Sequence, residues 1–427
     1  MIDGAPAVAA WRRWRGPLST SVLDQAAVSG ANFALHVLLA RWTTPAEYGA
    51  FAVAYSVLLL ASAPHGALLT DPLTVVGPRR FAHAFAPYLR TLVGTHFLLT
   101  LPVGVLLAAS ALLPPLAGGP LTGVLFALGA VTPFVLLVWL LRSACYLEAR
   151  PGLALTGSGL YALTLVGLMA AARVAAGLTG PGALVAMGAA NALASVPMAA
   201  GLGLFTAPHA TADHALVIRE HWAYGRWILG ASVAHAVGHG LYIPLVGAML
   251  GLDASGALRA IQNLVLPLQQ VLLALGMLTY PWLSRGVARE GPGYLWGRAA
   301  RLMLMTCGAA AAYGAVLAVV ARPALSVLYG NGRYTSFAGV VPIMAAAAVV
   351  ASAAQLLSIF ARALGNPQVV LWSKLAAGGW LLAVGIVLIR SGGIKGAVVS
   401  LAGSSLAEAL VLAALLWRRP IGAGTSG

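Results

Sequence analysis

The feature that most constrains this chain is a succession of apolar runs, each bounded by Arg, Pro and Gly clusters. They fall near 21–41, 48–70, 89–113, 121–142, 153–175 and 182–204, and again near 227–250, 256–279, 302–321, 338–361, 368–389 and 394–416. About 20 apolar residues is the length a helix needs to cross the hydrocarbon core of a bilayer. There the backbone must satisfy its own polar groups, which a helix does. Composition agrees: 60% of the 427 residues are hydrophobic and 8% charged, where soluble domains carry about 25% charged residues, and mean hydropathy is +0.90. A water-soluble fold is excluded and no segment remains for a soluble domain. The expected fold is an all-α integral membrane protein of about 12 transmembrane helices.

A formal charge of +15 would suggest nucleic acid in a soluble protein. Here the basic residues are topology signals first, and no nucleic-acid partner is expected. Only Lys374 and Lys395 are lysines among the 25 basic residues. With the N-terminus inside, one alternate set of connections collects eighteen of them, including Arg12, Arg13, Arg15, Arg79, Arg80, Arg142, Arg150, Arg362 and Lys374. The other set holds seven: Arg41, Arg173, Arg259, Arg322, Arg333, Arg390 and Lys395. The positive-inside rule therefore places both termini in the cytoplasm. The Trp11–Arg15 segment runs into a span of normal length and reads as a retained anchor rather than a cleaved leader. Cys145 and Cys307 support neither a disulfide framework nor a metal motif.

The chain also repeats itself. Aligning Gly49 with Gly256 pairs the first two spans with the seventh and eighth, and Tyr88-Leu89 then matches Tyr294-Leu295. Arg142 and Arg362 end the fourth and tenth spans, each followed by a turn containing Pro151 or Pro367. Six spans per half give both halves the same topology, a parallel pseudo-repeat. The expected division is a cytoplasmic N-terminal segment (1–20), an N-lobe (21–204), a cytoplasmic linker (205–226), a C-lobe (227–417) and a cytoplasmic tail (418–427). Outer connections are short, which leaves little material for an extracytoplasmic domain.

Polar side chains at bilayer depth cost about 2.5 to 3.5 kcal/mol when ionisable, so they should face protein or a watery cavity. In the first span Gln25, Ser29, Asn32 and His36 lie along one helical face, with Asp24 beside them. In the seventh span Ser232, His235, His239 and Tyr242 do the same. The second span adds Tyr55, Ser62 and His65, and the eighth adds Arg259, Gln262, Asn263 and Gln269. One reading makes these the lining of a cavity shared by the two halves, whose amides and hydroxyls suit a sugar and whose Arg259 could meet a phosphate. The other makes them interhelical hydrogen-bonding glue, with Arg259 snorkelling to headgroups. Asp24 and Glu408 are candidates for coupling to H+ or Na+. His235 and His239 lack a further ligand nearby in sequence, so protonation suits them better than a metal. No cofactor is expected.

The stretch DQAAVSGANFALHVLLARWTTPAEYGAFAVAYSVLLL, Asp24 to Leu60, resembles the opening of polysaccharide (O-antigen and exopolysaccharide) flippases of the multidrug/oligosaccharidyl-lipid/polysaccharide (MOP, MATE-like) exporter superfamily. The resemblance rests on Gln25, Ser29, Asn32, Leu39, Ala40, Arg41, Pro45, Glu47, Tyr48, Gly49 and Phe51. Leu328-Tyr329-Gly330 with Arg333-Tyr334 is similar to the superfamily's outer-loop signature. The resemblance implies two six-helix lobes around a cavity that opens alternately to either side. It also implies transport of a lipid-linked oligosaccharide across the bacterial inner membrane, with other glycan-assembly membrane proteins as partners. Lipid II flippases carry several arginines in the first two helices, whereas here Arg41 stands at the outer end of its span and the second helix has none. That leaves the pyrophosphate-binding group unidentified. A cation-coupled multidrug exporter is the alternative, then a membrane-embedded polymerase or ligase, or an inactive scaffold. An enzyme is not expected.

Overall fold

A computed structural model describes residues 5–418, apart from 115, 117, 176, 206–211 and 331. The expected tail beyond residue 418, linker residues 206–211 and the first four residues of the N-terminal segment lie outside the described residues. Within them the protein is helical throughout, with no strand. The helices are α1 (Ala5–Trp42), α2 (Pro45–His65), α3 (Asp71–Arg80), α4 (Phe85–Ser110), α5 (Pro120–Leu147), α6 (Pro151–Ala175) and α7 (Gly180–Gly201), then α8 (His214–His235), α9 (Tyr242–Leu250), α10 (Leu252–Glu290), α11 (Gly293–Tyr329), α12 (Val341–Ala363), α13 (Pro367–Trp380) and α14 (Ile386–Arg418).

Helix starts follow from local chemistry. Pro45, Pro120, Pro151 and Pro367 each open a helix, where the missing N–H costs nothing. Ahead of Pro45, Thr44 Oγ1 accepts from the Glu47 amide at 3.2 Å and Glu47 Oε2 accepts from the Thr44 amide at 3.3 Å, a reciprocal capping box. Three spans are interrupted by five-residue π segments: Gly66–Thr70 after α2, Ala236–Gly240 between α8 and α9, and Leu381–Gly385 between α13 and α14. Inside α14, Gly393 takes φ 55° and ψ −138°, a left-handed conformation that favours glycine.

Nine helices are long and apolar enough to cross a membrane among the described residues, or ten if the pair bent by 40° at residue 241 is one span. The expectation of about 12 differs for two physical reasons. The 50-residue segment Gln368–Trp417 holds two apolar runs joined at Gly393. The run at 256–279 lies in α10, where Arg259, Gln262, Asn263, Gln269 and Gln270 dilute the hydropathy. The protein is a multi-pass membrane protein.

The chain forms two compact units. The first comprises residues 1–43 and 58–229, the second 44–57 and 230–427. In the first, α5 is the most buried helix and packs against α4 and α7, while α1 packs on α6. In the second, α12 is held by α10, α11 and α14. Leu283, Leu295, Ile359, Phe360, Leu412 and Leu416 form part of its core. The start of α2 belongs to this second unit because Gly49 lies against the backbone of Leu252 and Gly256, and a Cβ on either glycine would collide with the other segment's backbone. Two residues paired by the repeat are thus each other's neighbours.

Candidate functional site

The first-span stripe is anchored inside its own unit. Asp24, fully buried, accepts hydrogen bonds on Oδ2 from Arg142 Nη2 and the Tyr146 hydroxyl, each at 2.5 Å. Arg142 Nη2 also reaches Gln25 Oε1 at 3.5 Å, and Gln25 Nε2 donates to Ser29 Oγ at 3.2 Å. About two turns beyond Gln25, the Tyr161 hydroxyl donates to Asn32 Oδ1 at 2.7 Å. His36 is buried. Asp24 Oδ1 and Arg142 Nε are buried without a hydrogen-bond partner, so this cluster keeps unused capacity.

The second-span residues divide between the units. Ser62 donates back to the Leu59 carbonyl at 2.7 Å. His65 is buried, with Nε2 2.9 Å from His96 Nδ1, and His96 Nε2 lies 3.0 Å from the Pro133 carbonyl. A carbonyl only accepts, so His96 donates to Pro133 and accepts from His65. Tyr55, in the second unit, has the Arg259 guanidinium 5.3 Å from its ring centre. Asn263 is buried and donates to the Tyr48 hydroxyl at 2.8 Å, with the Tyr329 hydroxyl 3.4 Å away. Tyr48, Tyr329 and Tyr334 belong to the two motifs behind the family resemblance. The motifs therefore mark an aromatic cluster around Arg259 and Asn263. Gln262 is half-buried and Gln269 exposed.

The seventh-span stripe meets two other helices of the second unit. Lys374 Nζ lies 2.6 Å from Glu408 Oε1, and His239 Nε2 lies 3.6 Å from Oε2. The His235 and His239 rings stack with centres 5.1 Å apart. Ser232 is half-buried. Tyr242 shares hydrogen bonds with Ser400 at 2.9 Å and Ser404 at 2.7 Å. Sequence reading missed Arg142, Tyr146, Tyr161, His96 and Lys374 as partners. Arg142 and Lys374 are visible in the sequence as charges that satisfy the positive-inside rule, Arg142 also as the repeat counterpart of Arg362, and neither reading names a carboxylate partner. Among the described residues no group of three or more His, Cys, Asp or Glu side chains is placed to hold a metal ion.

Ahead of the seventh span, the start of α8 is fastened to the first unit. His221 Nδ1 donates to the Leu68 carbonyl at 2.9 Å, which leaves Nε2 to accept from the Tyr88 hydroxyl at 2.7 Å. Burial lowers the His221 pKa below its ordinary value, opposed in part by the bond to Leu68. His221, Leu92, Thr95 and Trp222 line an apolar recess of about 140 Å³.

No family profile and no curated protein sequence matches the chain. Solved structures do. The lipid II flippase MurJ, inward closed, is similar with a TM-score of 0.73 at 11% identity, covering 95% of this chain and 88% of that one. An inward-facing multidrug resistance MATE family transporter of the MOP superfamily gives 0.70 at 12% identity, covering 92% and 96%. A Vibrio cholerae MATE transporter gives 0.63 at 13% identity, covering 95% and 97%. Across nearly its whole length, this chain has the fold of the MATE/MOP transporters.

Proposed function

We propose that the protein is a flippase that moves a lipid-linked oligosaccharide across the bacterial inner membrane by alternating access. Three things support this reading: the fold shared with a flippase, amides and hydroxyls in the expected spans, and the pairing of the acidic groups. The last carries the argument. Of the ten acidic residues, only Asp24 and Glu408 lie within the expected apolar runs, and each already has a cation against it, Arg142 or Lys374. A site for cationic drugs needs net negative charge facing the ligand; two neutralised pairs supply none. An anionic, hydroxyl-rich headgroup finds donors instead in Lys374, His235 and His239 of the second unit. Its lipid tail stays in the bilayer throughout.

The fold neighbours include drug exporters as well, and the buried Asp24 on the first span favours that second reading. We assign Asp24 and Glu408 as coupling groups for H+ or Na+ under either reading. Eighteen basic residues in one set of connections support a cytoplasmic position for both termini. Deletion of the gene separates the two readings. A flippase leaves its lipid-linked oligosaccharide accumulated on the inner leaflet with normal drug tolerance. An exporter leaves the glycan coat intact and the cells drug-sensitive.

A further inference from the structure

Within the second unit, two side chains able to donate to an anion, Lys374 and His239, approach one carboxylate, and a third, His235, stacks on His239. Glu408 is buried, its side chain 3% exposed, while Lys374 at 18% and His239 at 21% stand partly open above it. His235, stacked on His239, is exposed. The cluster thus has a carboxylate floor and a basic rim.

Its unused bonding capacity separates it from the polar groups nearby. One turn away, Tyr242, Ser400 and Ser404 are fully buried and bond to one another, and Ser404 also donates to the Ala377 carbonyl. Those hydroxyls hold helices together. By contrast, His239 Nδ1 is buried without a partner, and the 3.6 Å from His239 to Glu408 exceeds a hydrogen bond. Lys374 has three N–H donors, of which Glu408 takes one. A buried ion pair is a costly way to hold helices that apolar packing would hold as well. His239 also sits in a π segment, a distortion frequent at functional sites.

We propose that Lys374, His239 and His235 form a phosphoryl-recognition site, in which the diphosphate of the substrate displaces Glu408 from Lys374. The proposal rests on the flippase reading for the identity of its ligand, and it supplies a pyrophosphate-binding group that the arginine-poor first two spans leave unassigned. Glu408 is the internal stand-in: it keeps the ammonium paired while the site is empty and returns when the anion leaves. Lys374 binds the phosphoryl oxygens as a point charge, His239 can add an N–H donor where Glu408 has withdrawn, and His235 adds one at the exposed side.

The test is calorimetric titration of the full-length protein, in an uncharged detergent, with inorganic pyrophosphate. Saturable binding is expected. Lys374→Gln weakens it at least tenfold, and Glu408→Gln tightens it at least threefold because the competing carboxylate is gone. Should either single variant fail to fold, the Lys374→Gln/Glu408→Gln double variant removes both charges together and is expected not to bind. No binding by the wild type, or unchanged binding by the double variant, overturns the proposal. Displacement of pyrophosphate by equimolar phosphatidylglycerol gives the site to ordinary phospholipid headgroups and overturns the diphosphate assignment. Pyrophosphate binding lost with Lys374, in a protein that moves no lipid-linked glycan in vesicles, upholds the anion site while the flippase reading falls.

Discussion

Asp24 and Glu408 each meet a cation from a different helix, and in Asp24 the consequences of losing that cation are the plainest. Asp24 is fully buried and Arg142 is 17% exposed, so Arg142→Gln leaves a carboxylate in a low-dielectric interior with only Tyr146 for support. Removing one member of a buried pair costs about 3 to 5 kcal/mol. We expect Arg142→Gln to lower the thermal midpoint of the purified protein markedly, and Arg142→Gln/Asp24→Asn to recover most of the loss. Equal midpoints for the single and double variants would show that the pair does not hold the helices. His221 gives a second prediction at this scale. Its depressed pKa means that the folded state prefers neutral imidazole, so its contribution to stability is full above the ordinary histidine value of about 6.5 and declines as pH falls below it. Unfolding at pH 7.5 and 5.5 should show this loss, and His221→Asn, which keeps a donor for Leu68, should lessen it.

At the scale of elements, the turn between the first two spans combines two devices. The Thr44–Glu47 capping box starts α2, and Thr44→Ala should cost about 1 kcal/mol in chemical unfolding. Gly49 and Gly256 let α2 and α10 approach backbone to backbone, so Gly49→Leu should prevent accumulation of folded protein while Gly30→Leu, at an open position, should not. Comparable yields of the two would contradict that contact. This turn was legible in the sequence because its chemistry is local: Thr, Pro, Glu and Gly act within six residues. The same holds for the apolar runs and for the polar faces of the first and seventh spans, since helical periodicity exposes a face of one helix. What a face meets is set by residues far away in sequence. Asp24 and Arg142 are 118 residues apart, Asn32 and Tyr161 129, and no pattern in one span names a partner in another. Lys374 escaped for a related reason, since a cation near a span end also satisfies the positive-inside rule. The runs on either side of Gly393 were legible as two, and the break in the backbone at that glycine separates them.

For the molecule as a whole, the apolar helices and the solved neighbours give the MATE/MOP fold, and the pairing of Asp24 and Glu408 with cations is what supports the anionic cargo we propose for it. The proposed orientation rests on the eighteen-to-seven distribution of basic residues and predicts that a C-terminal fluorescent-protein fusion is bright in cells and an alkaline phosphatase fusion at the same point inactive. The most direct measurement of the central claim uses vesicles that contain the purified protein and a labelled lipid-linked oligosaccharide, with an impermeant lectin or glycosidase added outside. The account predicts that substrate confined to the inner leaflet becomes accessible at a rate that depends on the protein and falls in Lys374→Gln. Accessibility no faster than in protein-free vesicles, for every lipid-linked glycan made by the source cell, would contradict it.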